Sequence, residues 1–281
     1  MRCRKCGEKA VINMRQHKLS LCAGHFQEWF EQHTGKTIHR HRMMDKDDRI
    51  LLAVSGGKDS LVLWEILSLL GYHVDGLHIH LGIDDGTGYS DKSAEACREF
   101  ARSRSLHLVE VNVMKEQGFS IPEAAARTYR ARKRTCSLCG LTRRHIFNRQ
   151  AEIGKYNVLA TGHNMDDEAA VLFGNTTHWL SGYLARQSPV LDAVPGAFVR
   201  KVKPLCRAYE RETTAYALIK NIEYHDLECP YADGATTLEN KQLLNDIEAS
   251  RPGFKQRFYL SFLKAKEEGL FNPSLLDRTH D

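Results

Sequence analysis

The residues best suited to chemistry form one short segment, Ser55–Ser60, which reads Ser-Gly-Gly-Lys-Asp-Ser. The apolar residues 50–54 before it predict a buried parallel strand, and the apolar run after it predicts a core helix that starts at Asp59 or Ser60. A strand, a glycine turn and a helix N-terminus together direct free backbone N–H groups at one point, where an anion binds. The sequence therefore predicts a phosphate-binding loop, with a bare glycine turn as the alternative. A Walker A loop is excluded because Lys58 is followed by aspartate rather than Ser or Thr.

A second polar stretch, residues 161–168, follows another predicted strand and opens another predicted helix. We therefore expect it at the same edge of the sheet as the phosphate loop. Adjacent carboxylates at a helix start can hold Mg²⁺ or act as acid and base, while plain N-capping by Asn164 or Asp166 is the alternative. The candidate site residues in this stretch are Gly162, His163, Asp166 and Asp167.

Two pairs of metal-ligating residues lie near the N-terminus. Cys3 and Cys6 form a Cys-x-x-Cys pair, and after fifteen intervening residues Cys22 and His25 form a second pair. Two such pairs on short turns predict a tetrahedral structural zinc site, which stabilises a segment too short to fold by itself. His17 is the alternative fourth ligand.

The chain contains eight cysteines and no secretory leader, so metal or sulfur chemistry is expected rather than a disulfide framework. Cys136 and Cys139 form a second Cys-x-x-Cys pair at the start of a predicted helix, where the helix dipole and nearby cations are expected to lower the thiol pKa. Because two thiolates cannot complete a metal site, a distant ligand is needed, and Cys229 is the best candidate. Cys97 is expected to be a buried core thiol, while Cys206 stays ambiguous.

Positive charge is concentrated in one stretch, although the net charge of +5 is too small by itself to indicate nucleic acid. Residues 127–134 hold five cations and an aromatic residue, Tyr129, which suits a phosphate backbone with a base stacked beside it. A solvated helix face is the alternative. The cations are Arg127, Arg130, Arg132, Lys133 and Arg134. No apolar run approaches the ~20 residues of a membrane span, so a cytoplasmic protein is expected.

Strand and helix patterns alternate along the middle of the chain, which predicts an α/β fold with a parallel sheet and ligands at the carboxyl ends of its strands. The predicted strands are 50–54, 74–80, 106–113, 156–161 and 198–202, and the predicted helices between them are 60–70, 92–103, 139–151 and 166–180. Residues 181–197 are predicted to be an ordered loop or lid. The predicted units are a zinc module (1–27), a linker helix (28–48), a catalytic domain (49–205) and a helical C-terminal region (206–281).

Six patterns carry a family resemblance, and they follow the same order along nearly the whole chain. They are the N-terminal zinc-ligand pattern, S-G-G-K-D-S, G-L-H-I-H, C-S-L-C-G, T-G-H-N-M-D-D-E-A-A and E-C-P. Together they resemble the tRNA 2-thiolation enzymes of the TtuA/TtcA group, most closely the TtuA type. These are PP-loop ATP pyrophosphatases with a Rossmann-like, adenine nucleotide alpha hydrolase-like fold.

The resemblance implies that ATP binds on the phosphate loop and that the backbone near Ile79 lies against the adenine. The implied ATP-binding residues are Ala53, Ser55, Gly56, Gly57, Lys58, Asp59, Ser60, His78, Ile79, Gly162, His163, Asp166 and Asp167. The resemblance further implies a [4Fe-4S] cluster held by Cys136, Cys139 and Cys229. The fourth iron then has no protein ligand and can carry sulfur. The implied catalytic residues are Asp59, Arg143, Asp167, Cys136, Cys139 and Cys229.

Two features depart from the family pattern. A catalytic lysine of the family is replaced by Arg143, which keeps the charge but cannot act as a base, so its role is expected to be electrostatic. TtuA-type enzymes usually continue into a second zinc module, and this sequence shows no Cys pair after Cys229.

The resemblance predicts a tRNA sulfurtransferase that adenylates the C2 oxygen of a uridine, with Mg²⁺ near Asp59, and replaces that oxygen with sulfur. The alternatives are a cluster-free enzyme that uses a Cys136 and Cys229 persulfide, an enzyme acting on a small carbonyl compound, and a zinc-bearing nucleic-acid binder. The expected partners are tRNA, a sulfur donor and a second copy in a homodimer. A small carrier protein, sulfide and a desulfurase persulfide all remain open as the donor.

Overall fold

The computed structural model describes residues 1–84, 86–127, 135–231 and 236–271. A hairpin of β1 (Ile12–Met14) and β2 (Leu19–Leu21), joined through a 3-10 turn at Arg15–His17, lies near the N-terminus. The main sheet contains β3 (Arg49–Ala53), β4 (His73–His80), β5 (Leu108–Asn112), β6 (Val158–Thr161), β7 (Val190–Leu191) and β8 (Arg200–Val202). The described helices are α1 (Ala23–Arg40), α2 (Lys58–Leu69), α3 (Tyr89–Ser103), α4 (Val113–Gln117), α5 (Ile121–Arg127), α6 (Thr135–Ile153), α7 (Met165–Thr177), α8 (Ser181–Arg186), α9 (Glu210–Ile219), α10 (Thr236–Ser250) and α11 (Phe254–Glu267).

The main sheet has the strand order β5-β4-β3-β6-β8-β7, and every neighbouring pair is parallel except β7 with β8. The predicted α/β fold with a parallel sheet is therefore confirmed. After β3 the chain moves outward to β4 and β5, then crosses back and places β6 on the other side of β3. Loops that leave such a switch point diverge, so a crevice opens at the carboxyl ends of β3 and β6.

The sequence of β3 accounts for its central position. Ile50, Leu51 and Leu52 are all fully buried, as expected for a parallel strand covered by helices on both faces. Ile50 and Leu52 belong to one hydrophobic cluster and Leu51 belongs to another, because successive side chains of a strand point to opposite faces. The sheet thus separates two apolar layers.

The N-terminal hairpin and α1 pack into the larger of these layers. Met14, Leu21, Phe26 and Phe30 are fully buried in it. The Phe30 ring lies 5.2 Å from the ring of Tyr216 on α9. The apolar residues of the N-terminal hairpin and of α1 are therefore part of the main core. The boundaries of the four predicted units stay predictions.

The sequence predicted an ordered loop or lid over residues 181–197. The structure instead has the helix α8 and the strand β7 within this segment. Leu184 is buried and anchors α8, while the strand residue Val190 pairs with Val202. The side chain of Gln187 donates to the carbonyl of Glu168 at 2.9 Å. These are contacts with distant parts of the chain, which local glycine and proline content does not reveal.

Other element bounds also differ from the sequence-based predictions. Helix α3 begins at Tyr89 rather than Lys92, and α6 begins at Thr135 rather than Cys139. Helices α4 and α5 were not predicted. No described helix is long and apolar enough to cross a membrane.

The loop glycine Gly56 provides a test of how tightly this switch point is packed. Gly56 has φ +77°, and a Cβ at this position would lie 2.5 Å from the carbonyl oxygen of Ser93. We expect Gly56→Ala to lower the free energy of unfolding by about 3 kcal/mol, from left-handed strain and overpacking. Gly196 is the matched control, since it has φ +73° and no atom within 4 Å of such a Cβ.

Denaturant unfolding of both variants measures the difference. Gly196→Ala is expected to lose only the strain contribution of about 1–2 kcal/mol. Equal losses in the two variants would contradict close packing of Gly56 against α3.

Candidate active site and metal centres

Four N-terminal ligand atoms converge on one point. The sulfurs of Cys3 and Cys22 lie 3.5 and 3.2 Å from Nδ1 of His25, and the sulfurs of Cys6 and Cys22 are 3.7 Å apart. All four ligand atoms lie within 4.8 Å of one another. A tetrahedral zinc ion with bonds of about 2.3 Å to sulfur separates its ligand atoms by roughly 3.5–3.8 Å. The predicted four-ligand zinc site is therefore supported by its geometry, and four protein ligands leave no open position on the ion.

Local structure explains why these ligands meet. Cys22 is the N-cap of α1 and His25 lies in its first turn, so both face the same side of the helix. Cys3 and Cys6 lie on a tight turn in which the N–H of Gly7 donates to the carbonyl of Cys3 at 2.9 Å.

The alternative ligand His17 lies elsewhere. Its Nε2 is 3.3 Å from a carboxylate oxygen of Glu212, and its ring packs 4.9 Å from that of Trp29. The group of ligand atoms at the zinc site does not include it. His25 is therefore the fourth ligand, as the spacing of the two pairs predicted.

The phosphate loop connects β3 to α2 as predicted. Gly57 is the N-cap of α2, and no side chain of the described residues caps the helix, so the positive end of the helix dipole is available to an anion. Ser60 holds the loop in shape, because its Oγ accepts from the N–H of Ser55 at 3.1 Å and its hydroxyl donates to the carbonyl of Gly57 at 2.9 Å.

Asp59 and Lys58 are both engaged in polar contacts. The Lys58 ammonium lies 3.2 Å from Asp59 and 2.7 Å from Glu210 at the start of α9. Asp59 also accepts from the side chains of Asn164 and Thr213. Burial raises the pKa of Asp59 above its ordinary value, although Lys58 and Thr213 oppose that shift.

The second polar stretch meets the phosphate loop at close range. A Cβ on Gly162 would lie 3.0 Å from the backbone nitrogen of Ser60, so only glycine fits here without displacement. Asn164 caps α7 through a capping box with Asp167, and its amide also donates to Asp59 at 3.3 Å. Asn164 therefore performs the capping that the sequence allowed and also ties the two loops together.

The two adjacent aspartates have different surroundings. Asp167 lines the cavity formed by the two loops. Asp166 is buried and faces away from it, where its carboxylate accepts from the ammonium of Lys255 and from the backbone N–H of Glu210. The structure thus brings Asp167 to the predicted site and does not bring Asp166 there.

A cavity of about 460 Å³ opens at the switch point between the two loops. Its floor is formed by the loops, and its wall is formed by α6, which contributes Arg143, Arg144 and Phe147. His163 also lines it, with Nδ1 2.9 Å from the Thr161 hydroxyl. The predicted site residues that line it are Ala53, Ser55, Gly57, Asp59, Ser60, Arg143, Gly162, His163 and Asp167.

A smaller cavity of about 40 Å³ shares Ser55, Arg143 and Phe147 with the first and is also lined by His78 and Ile79. Nδ1 of His78 donates to the carbonyl of Val54 at 3.1 Å, so its Nε2 is an acceptor. This Nε2 is buried and has no hydrogen-bond partner within the described part of the chain. Burial lowers the pKa of His78 to about 4, which keeps the ring neutral. A buried acceptor without a donor fits the amino group of an adenine.

Lys201 was missed by the sequence analysis, although it lines the larger cavity. It lies on β8, whose position beside β6 is decided only by the sheet order. Burial, reinforced by the neighbouring cations Lys203, Arg143 and Arg144 against the opposing Glu168, lowers the pKa of Lys201 to about 8. The only local signal was a lysine within a short predicted strand, which does not distinguish it from any surface lysine.

The three candidate cluster cysteines lie near the smaller cavity. The thiol of Cys136 contacts the carbonyl of Tyr231 at 3.2 Å, which joins the start of α6 to the segment after Cys229. Cys139 and Cys229 both pack against the hydrophobic cluster that contains Ile79 and Phe147. The structure thus brings together residues more than 90 positions apart, as the predicted three-cysteine site requires.

The predicted lowering of thiol pKa is wrong for Cys139. Its pKa is raised, chiefly by burial and further by the neighbouring thiols Cys229 and Cys136, which together outweigh Arg143. Three thiols that share a partly apolar site disfavour three charges, and a bound metal group is what compensates for them. The donor set therefore fits an iron–sulfur cluster better than a set of free thiolates.

The other two thiols are core residues. Cys97 is fully buried beside His78, as predicted, and burial raises its pKa to about 12. Cys206 is also fully buried, in the larger core cluster, and burial again raises its pKa to about 12. The ambiguity at Cys206 is thereby resolved in favour of packing.

The basic stretch 127–134 can be followed only at its start. Arg127 ends α5, is exposed, and has its guanidinium 5.2 Å from the ring centre of Phe119. Arg130, Arg132, Lys133 and Arg134 lie outside the described residues. Their predicted contact with RNA stays a prediction.

Comparisons with known proteins identify the family of this chain. Residues 2–27 match the N-terminal LIM domain of the 2-thiouridine synthetase TtuA, and residues 25–228 match the PP-loop domain. The chain is 48% identical over 264 residues to the tRNA-5-methyluridine(54) 2-sulfurtransferase of Thermus thermophilus, covering 94% of this chain and 80% of that protein. It is 44% identical to the protein of the same name from Pyrococcus horikoshii, covering 99% and 86%.

A solved structure is also similar. The U34-tRNA thiolase NcsA from Methanococcus maripaludis, with its [4Fe-4S] cluster, superposes with a TM-score of 0.82 at 26% identity, covering 95% of this chain and 87% of that one. The chain therefore belongs to the PP-loop family. Within that family it belongs to the TtuA group of tRNA 2-sulfurtransferases, as the resemblance predicted.

The separation of the two metal centres is directly testable. Because the zinc ligands all lie within residues 3–25, we expect Cys136→Ala to retain about one zinc per chain. Cys22→Ala is expected to lose it and to unfold at a lower temperature, since the ion and the core stabilise the hairpin together. Metal analysis of the two purified variants measures this, and loss of zinc from Cys136→Ala would contradict two separate sites.

The lowered pKa of Lys201 predicts a pH dependence of ATP binding. Lys201 is charged below about pH 8 and becomes neutral above it in the free protein. Because the anionic phosphates favour the charged form, ATP binding is expected to take up a proton near pH 8, and affinity is expected to fall as the pH rises further.

Calorimetric titration in buffers of different ionisation enthalpy measures this proton uptake. Lys201→Met is expected to bind ATP more weakly at pH 7 and without proton uptake. Lys264→Met is the control, because Lys264 is exposed and pairs with Glu268, the residue that caps the end of its helix. Unchanged uptake in Lys201→Met would place the titrating group elsewhere.

Proposed function

We propose that this protein is an ATP-dependent sulfurtransferase that replaces the 2-oxygen of a uridine in tRNA with sulfur. One observation carries the proposal: the phosphate loop, Asp167 and α6 line neighbouring cavities at the switch point, and Cys139 near the start of α6 packs against the hydrophobic cluster that contains Ile79 and Phe147 of the same walls. Membership of the TtuA group supports it. A plain ATPase has no need for three cysteines beside the nucleotide.

In the first step the C2 oxygen of the uridine attacks the α-phosphorus of ATP. The bond from that phosphorus to the pyrophosphate breaks, and the uridine becomes activated as its adenylate. The uncapped N-terminus of α2, together with Arg143, Arg144 and Lys201, stabilises the charge on the phosphates in a cavity partly closed to water. Arg143 acts only electrostatically, because a guanidinium does not give up its proton.

In the second step a sulfur atom at the oxidation level of sulfide attacks C2, the new C2–S bond replaces the bond from C2 to the adenylate oxygen, and AMP is released. A [4Fe-4S] cluster held by Cys136, Cys139 and Cys229 would supply an iron site without a protein ligand, where sulfur can bind. The protein's own part is to hold the three thiols beside the nucleotide. Mg²⁺ is expected to neutralise the charge of the pyrophosphate. Asp59, the carboxylate of the phosphate loop that lines the cavity, is the expected ligand.

The finer assignments rest on the relatives. The names of two relatives specify 5-methyluridine at position 54 of tRNA as the substrate, and we extend that substrate to this chain. A relative from Chlamydomonas reinhardtii, 32% identical, is named a cytoplasmic tRNA 2-thiolation protein, and we place this chain in the cytoplasm as well. A sulfur donor is required, and its candidates are a carrier protein, free sulfide and a desulfurase persulfide.

A cluster-free mechanism through a persulfide is the second candidate. It draws on the contact that brings Cys136 to the segment after Cys229. The two mechanisms differ in their need for Cys139, since a persulfide and disulfide use only two thiols. They also differ in iron content.

The decisive experiment compares single cysteine variants purified without oxygen. Cys136→Ala, Cys139→Ala and Cys229→Ala are each expected to lose the brown cluster and the formation of 2-thiouridine in tRNA. Cys97→Ala and Cys206→Ala are the matched controls, because both remove a buried thiol outside the site. Iron and sulfide analysis and nucleoside mass spectrometry provide the two measurements.

Each departure from this result has a distinct meaning. Thiolation by an iron-free wild-type protein, with Cys139 dispensable, would favour the persulfide mechanism. An essential Cys206 beside a dispensable Cys229 would mean that the third ligand has been misassigned. A deletion strain with a normal complement of 2-thiouridine in its tRNA would contradict the function itself.

A further inference from the structure

A chain of ion pairs runs from the phosphate loop to α10. The Lys58 ammonium contacts Oε1 of Glu210 at 2.7 Å, and the other oxygen of Glu210 contacts Lys241 at 3.2 Å. The Lys241 ammonium also lies 2.6 Å from Oδ1 of Asp167. Three separate helices, α7, α9 and α10, thus meet at Lys241.

The Asp167 carboxylate is held on both of its oxygens. Oδ2 accepts from the backbone N–H of Asn164 at 3.0 Å, as part of the cap of α7. Oδ1 is held by Lys241, which is the only cation within ion-pair distance of it among the described residues. The cap alone leaves one oxygen unrestrained, so Lys241 decides how the carboxylate faces the cavity.

Lys241 differs from an ordinary surface lysine. Its side chain is 19% exposed, compared with 73% for Lys264, which pairs with Glu268 at the end of its own helix. Burial disfavours its charge, but Asp167 and Glu210 raise its pKa above the ordinary value, so the ammonium stays charged. A partly buried pair that joins separate helices is worth more than an exposed pair within one helix.

We propose that Lys241 is a positioning residue that orients the Asp167 carboxylate toward bound ATP and its acceptor. The inference rests on the proposed function and deepens it. The helix that contains Lys241 begins seven residues after Cys229. One stretch of chain therefore supplies both the third cysteine and the lysine that sets Asp167. Sequence reasoning had no signal for this, because Lys241 follows no motif.

The test compares Lys241→Met, Lys241→Arg and the control Lys264→Met in the complete enzyme. Lys241→Met is expected to lower kcat for 2-thiouridine formation about 100-fold, because a displacement of about 1 Å in an active site costs this much. The KM for ATP is expected to change less than about threefold, since Lys241 does not line the nucleotide cavity. Lys241→Arg keeps the charge and is expected to recover most of the rate.

Thermal unfolding and iron content of the same variants separate positioning from folding. Both are expected to match the wild type in Lys241→Arg and Lys264→Met. A loss in KM for ATP with kcat unchanged would make Lys241 a phosphate ligand and overturn the inference. Wild-type rates in Lys241→Met, or no recovery in a fully folded Lys241→Arg, would overturn it as well.

The inference and the proposed function fail in different ways. If wild-type protein with a full cluster forms no 2-thiouridine, the proposed function fails. If the wild type is active and Lys241→Met is equally active, only the role of Lys241 fails.

Discussion

The rest of the site depends on the close approach of two loops at one switch point in the sheet. Strands β3 and β6 are neighbours, so the loops that follow them leave the same edge side by side. At Gly162 the second loop comes so near the phosphate loop that a Cβ would lie 3.0 Å from the backbone nitrogen of Ser60. This approach places Asp167 within the same cavity as the uncapped start of α2, where an anion is favoured.

Charge at this edge is compensated before any nucleotide binds. Asp59, Asp167 and Glu210 are partly buried, and each has a lysine within ion-pair distance. Burying an unpaired carboxylate would cost several kcal/mol, so these pairs explain how the site tolerates three acids beside a phosphate loop. The cavity is also lined by Arg143 and Lys201, which form no ion pair with these acids within the described part of the chain.

The two metal centres use similar ligand residues for different roles, one structural and one catalytic. At the N-terminus four ligands surround one point, and the geometry suits a closed tetrahedral ion that stabilises a short hairpin. Beside the nucleotide, three thiols come from segments far apart in the chain, and burial raises the pKa of Cys139. Bringing three distant thiols together disfavours their charged forms, so this site is better suited to a catalytic role than to stabilising the fold.

The sequence by itself determined the motifs whose residues lie close together in the chain. Ser55–Ser60 and the zinc ligands are local patterns that lie where they were predicted, and the cap at Asn164 is one of the two that the sequence allowed as an alternative. Tertiary structure alone decided the roles of Lys201 and Lys241, the inward turn of Asp166 and the raised pKa of Cys139. Each of these depends on which distant strand or helix lies opposite the residue. Burial and electrostatic potential at a site are sums over all neighbouring groups, and the spacing of residues along the chain does not encode those neighbours.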